Sequence, residues 1–137
     1  MDMEIKLVGL AIIHKEGKVL IGQRKEKDEF VEHLSWVFPG GEFATKDFEK
    51  ELIQTVKKEC GLDIKINNLI FARKPSEASI PMVLFYFDCS PIGGQESPEH
   101  DLNKLEWIPA TLVAKYFSTS VADRIMEFLK NVEDNKL

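Results

Sequence analysis

Pro39-Gly40-Gly41 is followed, over about residues 46–60, by a stretch in which Phe48, Leu52, Val56 and Cys60 recur every four residues. That spacing lays apolar side chains along one stripe of an amphipathic helix, and Ile53 is expected to widen the stripe toward the core. Thr45 suits the N-cap. Gly61 suits the position just past the last turn, where a left-handed residue ends a helix. A glycine turn feeding a helix of this kind is a frame for clustered carboxylates that hold a metal. Here one acid, Glu59, stands in the last turn beside Lys57 and Lys58, and lysines occupy positions where further acids are expected.

The rest of the chain reads mainly as strands around this unit. Residues 6–14 (KLVGLAIIH) are short, apolar and β-branched, as in a buried strand, and a turn at 15–17 leads into 19–24 to complete a hairpin. Residues 25–35 are charged and lack periodicity, so they read as a surface loop before Trp36-Val37-Phe38 enters the glycine turn. Further strands are predicted at 64–66, 69–74, 82–89 and 105–108, with a polar loop at 90–103 and a short helix at 110–116. A last helix is predicted from a Ser120 cap to about Asn131, packing through Val121, Ile125, Met126, Phe128 and Leu129. Hairpins outnumber βαβ units, which points to a mixed sheet covered by helices. A chain of 137 residues, 44% hydrophobic and 30% charged, is sized for one domain spanning 1–137 with a real core.

The same composition narrows the partners. A net charge of −5 leaves no broad basic field, so nucleic acid is not an expected partner. The apolar run 7–13 is far shorter than a membrane span, and Asp2 and Glu4 stand where a secretory signal would be basic. No membrane partner and a cytoplasmic location are therefore expected. Cys60 and Cys89 lie far apart in apolar contexts and read as buried free thiols. The apolar first strand and the late sheet edges offer surfaces for a homodimer.

The unit of strand, glycine turn, helix and Glu-x-Gly resembles the Nudix hydrolase family, the MutT-like pyrophosphohydrolases. The family pattern is G-x5-E-x7-R-E-U-x-E-E-x-G-U, with U aliphatic, and it runs without gaps from Gly40 to Leu62. Gly40, Val56, Glu59, Gly61 and Leu62 match it, whereas Lys46, Gln54, Thr55 and Lys58 replace its Glu, Arg, Glu and Glu. W-x-F-P-G-G before the box and E-W-I-P at residues 106–109 also resemble the family, so the likeness covers about residues 5–130. It implies a Nudix fold of the α/β class, an α/β/α sandwich around a mixed β-sheet. It also implies Mg²⁺ or Mn²⁺ as cofactor and a small nucleotide-derived substrate.

Carboxylates three and four residues apart share one helix face and converge on a metal. In this chain those positions are Thr55, Lys58 and Glu59, and an ammonium beside the remaining acid opposes a dication by about a few kcal/mol at an effective dielectric near 20. The resemblance therefore implies a reduced site, with one ion held by Glu59, the Gly40 carbonyl and substrate phosphates. Glu51 is a further metal candidate on the same face, about 12 Å from Glu59 along the helix axis. Arg24, at a strand end, and Lys58 are candidates to meet phosphate.

For the catalytic base the loop offers Glu99 or His100, with Glu96 beside them. A histidine in this loop resembles the GDP-mannose mannosyl hydrolase branch, whose box is also damaged. His14 and His33 have no readable partners. Trp36 and Phe38 are expected to pack beneath the turn. Two functions stay open: a hydrolase of a nucleoside diphosphate-linked compound with a reduced Mg²⁺ site, and a catalytically inactive domain that binds a nucleotide or a protein.

Overall fold

The computed structural model describes residues 4–27, 29–30 and 35–137. Its strands are β1 (Lys6–Lys15), β2 (Lys18–Arg24), β3 (Trp36–Val37), β4 (Gly40–Glu42), β5 (Leu62–Arg73), β6 (Met82–Gly94) and β7 (Leu102–Pro109). Its helices are α1 (Phe48–Cys60), α2 (Val113–Tyr116) and α3 (Asp123–Asn135), with a single 3-10 turn at Ala110–Leu112 before α2. No helix is long and apolar enough to cross a membrane among the described residues.

β1 is the hinge of the sheet. It runs parallel to β6 from Lys6↔Met82 to Ile13↔Cys89, but it meets β2 only at His14↔Val19 and Lys15↔Lys18. Beyond that hairpin end β2 turns away to pair with β7 and β3. β4 takes the vacated edge of β1, pairing Leu10 with Gly40 and Val8 with Glu42. The glycine turn of the sequence is thus a short strand wedged where the sheet splits. β5 closes the far edge against β6.

The sheet buries both faces, which explains the unbroken apolar run of β1. Ala11, Ile13, Leu20, Phe87 and Cys89 pack with Leu52, Val56 and Cys60 of α1 on one side. Ile12, Val19, Ile21 and Tyr86 pack with Ile125, Leu129 and Val132 of α3 on the other. This is the expected α/β/α sandwich. Both cysteines are free and buried, and desolvation pushes their thiols up to about 12.

Several local expectations are corrected. Asp47, not Thr45, caps α1, its carboxylate accepting from the Lys50 N–H at 3.3 Å. Ile53 faces solvent at 37% exposure, one position too far round the helix to join the stripe. The strands expected at 64–66 and 69–74 are one strand, because register shifts between Ile66/Asn68 and Leu69/Phe71 absorb the polar interruption. β6 continues to Gly94 and β7 begins at Leu102, so half of the expected 90–103 loop is strand. α3 begins at Asp123; the Ser120 hydroxyl and N–H instead bind the Glu77 carboxylate at 2.6 and 2.9 Å. His14 has a partner, Asp88, at 2.6 Å. His33 lies outside the described residues.

Candidate active site

The site is assembled where α1 ends. Gly61 adopts φ 76° and returns its N–H to the Lys57 carbonyl at 2.9 Å. The carbonyls of Glu59, Cys60 and Gly61, left open by the end of the helix, accept from the N–H groups of Glu99, Ser97 and Gln95 at 2.9, 2.9 and 3.2 Å. The following loop is thereby zipped onto the helix terminus. Its far end is fixed to β2, where the Lys25 N–H donates to the Asp101 carbonyl at 2.8 Å and Arg24 pairs with Leu102. Two backbone attachments therefore bring Glu59, Arg24 and Asp101 into one neighbourhood.

Glu59 is the centre of it. Its Oε1 accepts from the Gly40 N–H at 3.0 Å. Gly40 is available for this because of the β1–β4 register. The bonds from Ala11 N–H to Pro39 and from Phe43 N–H to the Leu7 carbonyl mark alternate positions as the bonded pairs. Gly40, opposite Leu10, falls between them and turns its N–H and C=O away from β1. A methyl group at Gly40 would sit 1.9 Å from the Gly9 carbonyl oxygen, so only glycine lets β4 lie this close.

Burial pushes the Glu59 carboxyl up from 4.5 to about 7; the Gly40 hydrogen bond works against this, Asp101 adds to the rise, and Arg24 again lowers it. One carboxylate near neutrality, one guanidinium and one further acid thus interact at a single point.

A cavity of two lobes opens here. The polar lobe, about 210 Å³, is lined by Glu59, Arg24, Gly40, Gly41, Lys6 and Glu42 together with apolar side chains. The second lobe, about 90 Å³, is almost wholly apolar. Leu10, Val37, Phe38 and Met82 line both, so the lobes adjoin. Phe38 is in the core as expected, while half-buried Trp36 walls the apolar lobe.

The other sequence candidates fare differently. Glu51 spends its carboxylate on the loop before α1, accepting from the Ala44 N–H at 2.9 Å, the Thr45 N–H at 2.8 Å and the Thr45 hydroxyl at 2.7 Å. These bonds hold its carboxyl below the ordinary range. Lys58 is exposed and does not line the cavity. The Glu99 carboxylate accepts from the Ser97 hydroxyl at 2.9 Å, and His100 is exposed at φ 52°. Neither side chain lines the polar lobe. Glu96 accepts from the Trp107 indole at 2.6 Å and borders a separate depression near Lys15 and Lys18.

Asp101 does not line the polar lobe either, but its charge acts on Glu59, and sequence reasoning treated it only as a neighbour of His100. Its place immediately before β7, opposite the end of β2, was the available signal.

The residues suit one divalent ion rather than a cluster. Among the described residues, no three His, Cys, Asp or Glu side chains converge as metal ligands. Magnesium nevertheless often takes one or two carboxylates and leaves its remaining positions to water and substrate phosphates. The repulsion between Asp101 and Glu59 is what a dication would offset, and the Gly40 hydrogen bond leaves the second Glu59 oxygen uncommitted by any described bond.

No family model matches the chain, and no curated protein matches its sequence. Solved structures do match. MutT protein from Methanosarcina mazei Go1 superposes with TM-score 0.76 at 16% identity, covering 100% of this chain and 99% of that one. A UDP-X diphosphatase gives 0.72 at 16% identity, covering 98% of this chain and 66% of its own length. An ADP-ribose pyrophosphatase from Streptococcus suis 89-1591 gives 0.67 at 18% identity, covering 92% and 90%. At these identities the likeness establishes architecture. With its split mixed sheet, its two helical layers and its glycine strand leading into α1, this chain has the fold of the Nudix hydrolases.

Proposed function

We propose that this protein hydrolyses a nucleoside diphosphate-linked compound, a nucleotide or nucleotide sugar, with one Mg²⁺ that enters with the substrate. The observation that carries the reading is a carboxyl at about 7, Glu59, facing a polar lobe that adjoins an apolar, aromatic one. A ligand with a flat ring at one end and a diphosphate at the other matches that division. Two of the solved structures of like fold are named for different substrates of this class, UDP-X and ADP-ribose, which supports the class and favours no member of it.

In this reading Glu59 and the Gly40 carbonyl hold the ion and Arg24 meets a phosphate oxygen. Bound magnesium would neutralise phosphate charge and polarise the bond to be broken. Asp101, carried by the zipped loop, accepts the proton from the attacking water in place of Glu99 or His100. The aromatic wall keeps bulk water from the ring end of the ligand.

The second reading is a domain that binds such a ligand without turnover. It is favoured by Lys46, Thr55 and Lys58 at three acidic positions of the family pattern and by the missing third ligand among the described residues. Phosphate and sugar release from a panel of nucleoside diphosphates and nucleotide sugars, with and without Mg²⁺, separates the two. Turnover that needs Mg²⁺ and falls at least about 100-fold in Asp101→Asn supports the hydrolase. Binding by calorimetry that ignores Mg²⁺, with no product, supports the binder.

A further inference from the structure

The apolar lobe has an uneven supply of hydrogen-bonding groups. Among its described lining residues there is no carboxylate and no side-chain amide. Arg73 and Trp36 can only donate. Tyr86, 5% exposed, accepts from Arg73 Nε at 3.1 Å through its hydroxyl oxygen, and no described bond takes its own proton. Thr119 and Ser120 bring hydroxyls that can serve either way, but the Ser120 proton goes to Glu77 at 2.6 Å.

The donors are also held in place. Arg73 Nη2 donates to the Ser120 carbonyl at 3.1 Å, and its guanidinium lies 6.0 Å from the centre of the Tyr86 ring. Glu77, which binds both the hydroxyl and the N–H of Ser120, balances the guanidinium from outside the lobe. The β5–β6 connection and the segment before α3 are thus tied together with donors between them, against the edge-on rings of Phe38, Tyr86 and Phe117.

Resting on the proposed nucleotide chemistry of this cavity, we propose that the apolar lobe selects a base bearing an oxo group at purine C6 or pyrimidine C4 over one bearing an amino group at that position. A carbonyl oxygen accepts from Tyr86 and Arg73. An exocyclic amine brings donors toward donors and leaves both sides unsatisfied, which is the asymmetry that gives polar sites their discrimination.

The test is calorimetry of GDP, UDP, ADP and CDP with Mg²⁺ on the full chain, and on Tyr86→Phe and Arg73→Lys. GDP and UDP should bind about tenfold more tightly than ADP and CDP, the equivalent of one good hydrogen bond. Tyr86→Phe should shrink that ratio to about threefold or less without weakening ADP. Should Tyr86→Phe fail to fold, the wild-type ratio and Arg73→Lys, which keeps the charge but loses the fork, decide instead. Equal affinities for all four, an amino preference, or a preference that neither substitution alters would overturn the selectivity and leave the nucleotide reading standing. Binding of none would overturn both.

Discussion

Replacing Glu59 by Gln should make the protein more stable above neutrality while impairing its function, because this carboxyl is held where its charge is disfavoured. It titrates near 4.5 in the unfolded chain and at about 7 in the fold. Below pH 4.5 both states keep the proton and the fold bears no cost. Between 4.5 and 7 the unfolded chain releases its proton first, so stability falls; above 7 the loss is complete. At ~1.36 kcal/mol per pH unit, the full effect is about 3 kcal/mol. Solvent reaching the polar lobe reduces it to about 2 kcal/mol.

Gln preserves the shape of the side chain, and its carbonyl still accepts from the Gly40 N–H. The stronger hydrogen bond that an ionised acceptor makes to Gly40 is already contained in the net rise to about 7. Glu59→Gln should therefore gain about 2 kcal/mol at pH 8, or roughly 4–8 °C in Tm for a domain of this size. At pH 4 it should be neutral. Urea melts of both proteins at pH 4, 6 and 8 measure this directly. A difference that does not change with pH, or a loss of stability at pH 8, would show that Glu59 is not strained in the fold and would refute the reasoning.

Three further outcomes follow from the same geometry. Gly40→Ala, which forces a methyl group to 1.9 Å from the Gly9 oxygen, should cost at least about 1–3 kcal/mol in a urea melt and prise β4 from β1. Asp47→Ala should cost about 1 kcal/mol by removing the α1 cap, while Thr45→Val should leave that cap in place and lose the hydroxyl's bonds to the Glu51 carboxylate and the Asp47 N–H. Burial opposes the charged form of His14, but the Asp88 carboxylate and the Leu137 backbone together outweigh it and hold the pKa above 6.5. The pair's contribution is thus present below pH 6.5 and lost as pH rises through the folded value, so His14→Gln should be most damaging near pH 5.5. Histidine NMR titration checks the direction.

The chemistry of the site was only partly legible in the sequence. Glu59 and Gly40 could be singled out because a local pattern, turn then helix, contains both. Arg24 could be placed only as the end of a strand. Glu51 misled: helical spacing put it on the same face as Glu59, yet its oxygens turn back to Ala44 and Thr45, whose N–H groups precede the first helical turn. The loop acids misled in the opposite sense. Four titratable residues lie within 96–101, and nothing local says which acts on Glu59. That depends on Glu99 N–H meeting the Glu59 carbonyl and Lys25 N–H meeting the Asp101 carbonyl, contacts separated by tens of residues in the chain.

Periodicity and turn chemistry, which act within a few residues, were enough to specify α1 with its left-handed end at Gly61, the β1–β2 hairpin and the buried character of β1. They also sufficed for the mixed, helix-covered architecture, since each element declares which of its faces must leave water. The splitting of the sheet at β1, the conversion of the glycine turn into β4, the continuity of β5 and the approach of Asp101 to Glu59 belong to the tertiary structure alone. Each is settled by which distant backbone groups find partners, and unpaired N–H and C=O groups in a packed interior are too costly for the chain to leave that matching to local preference.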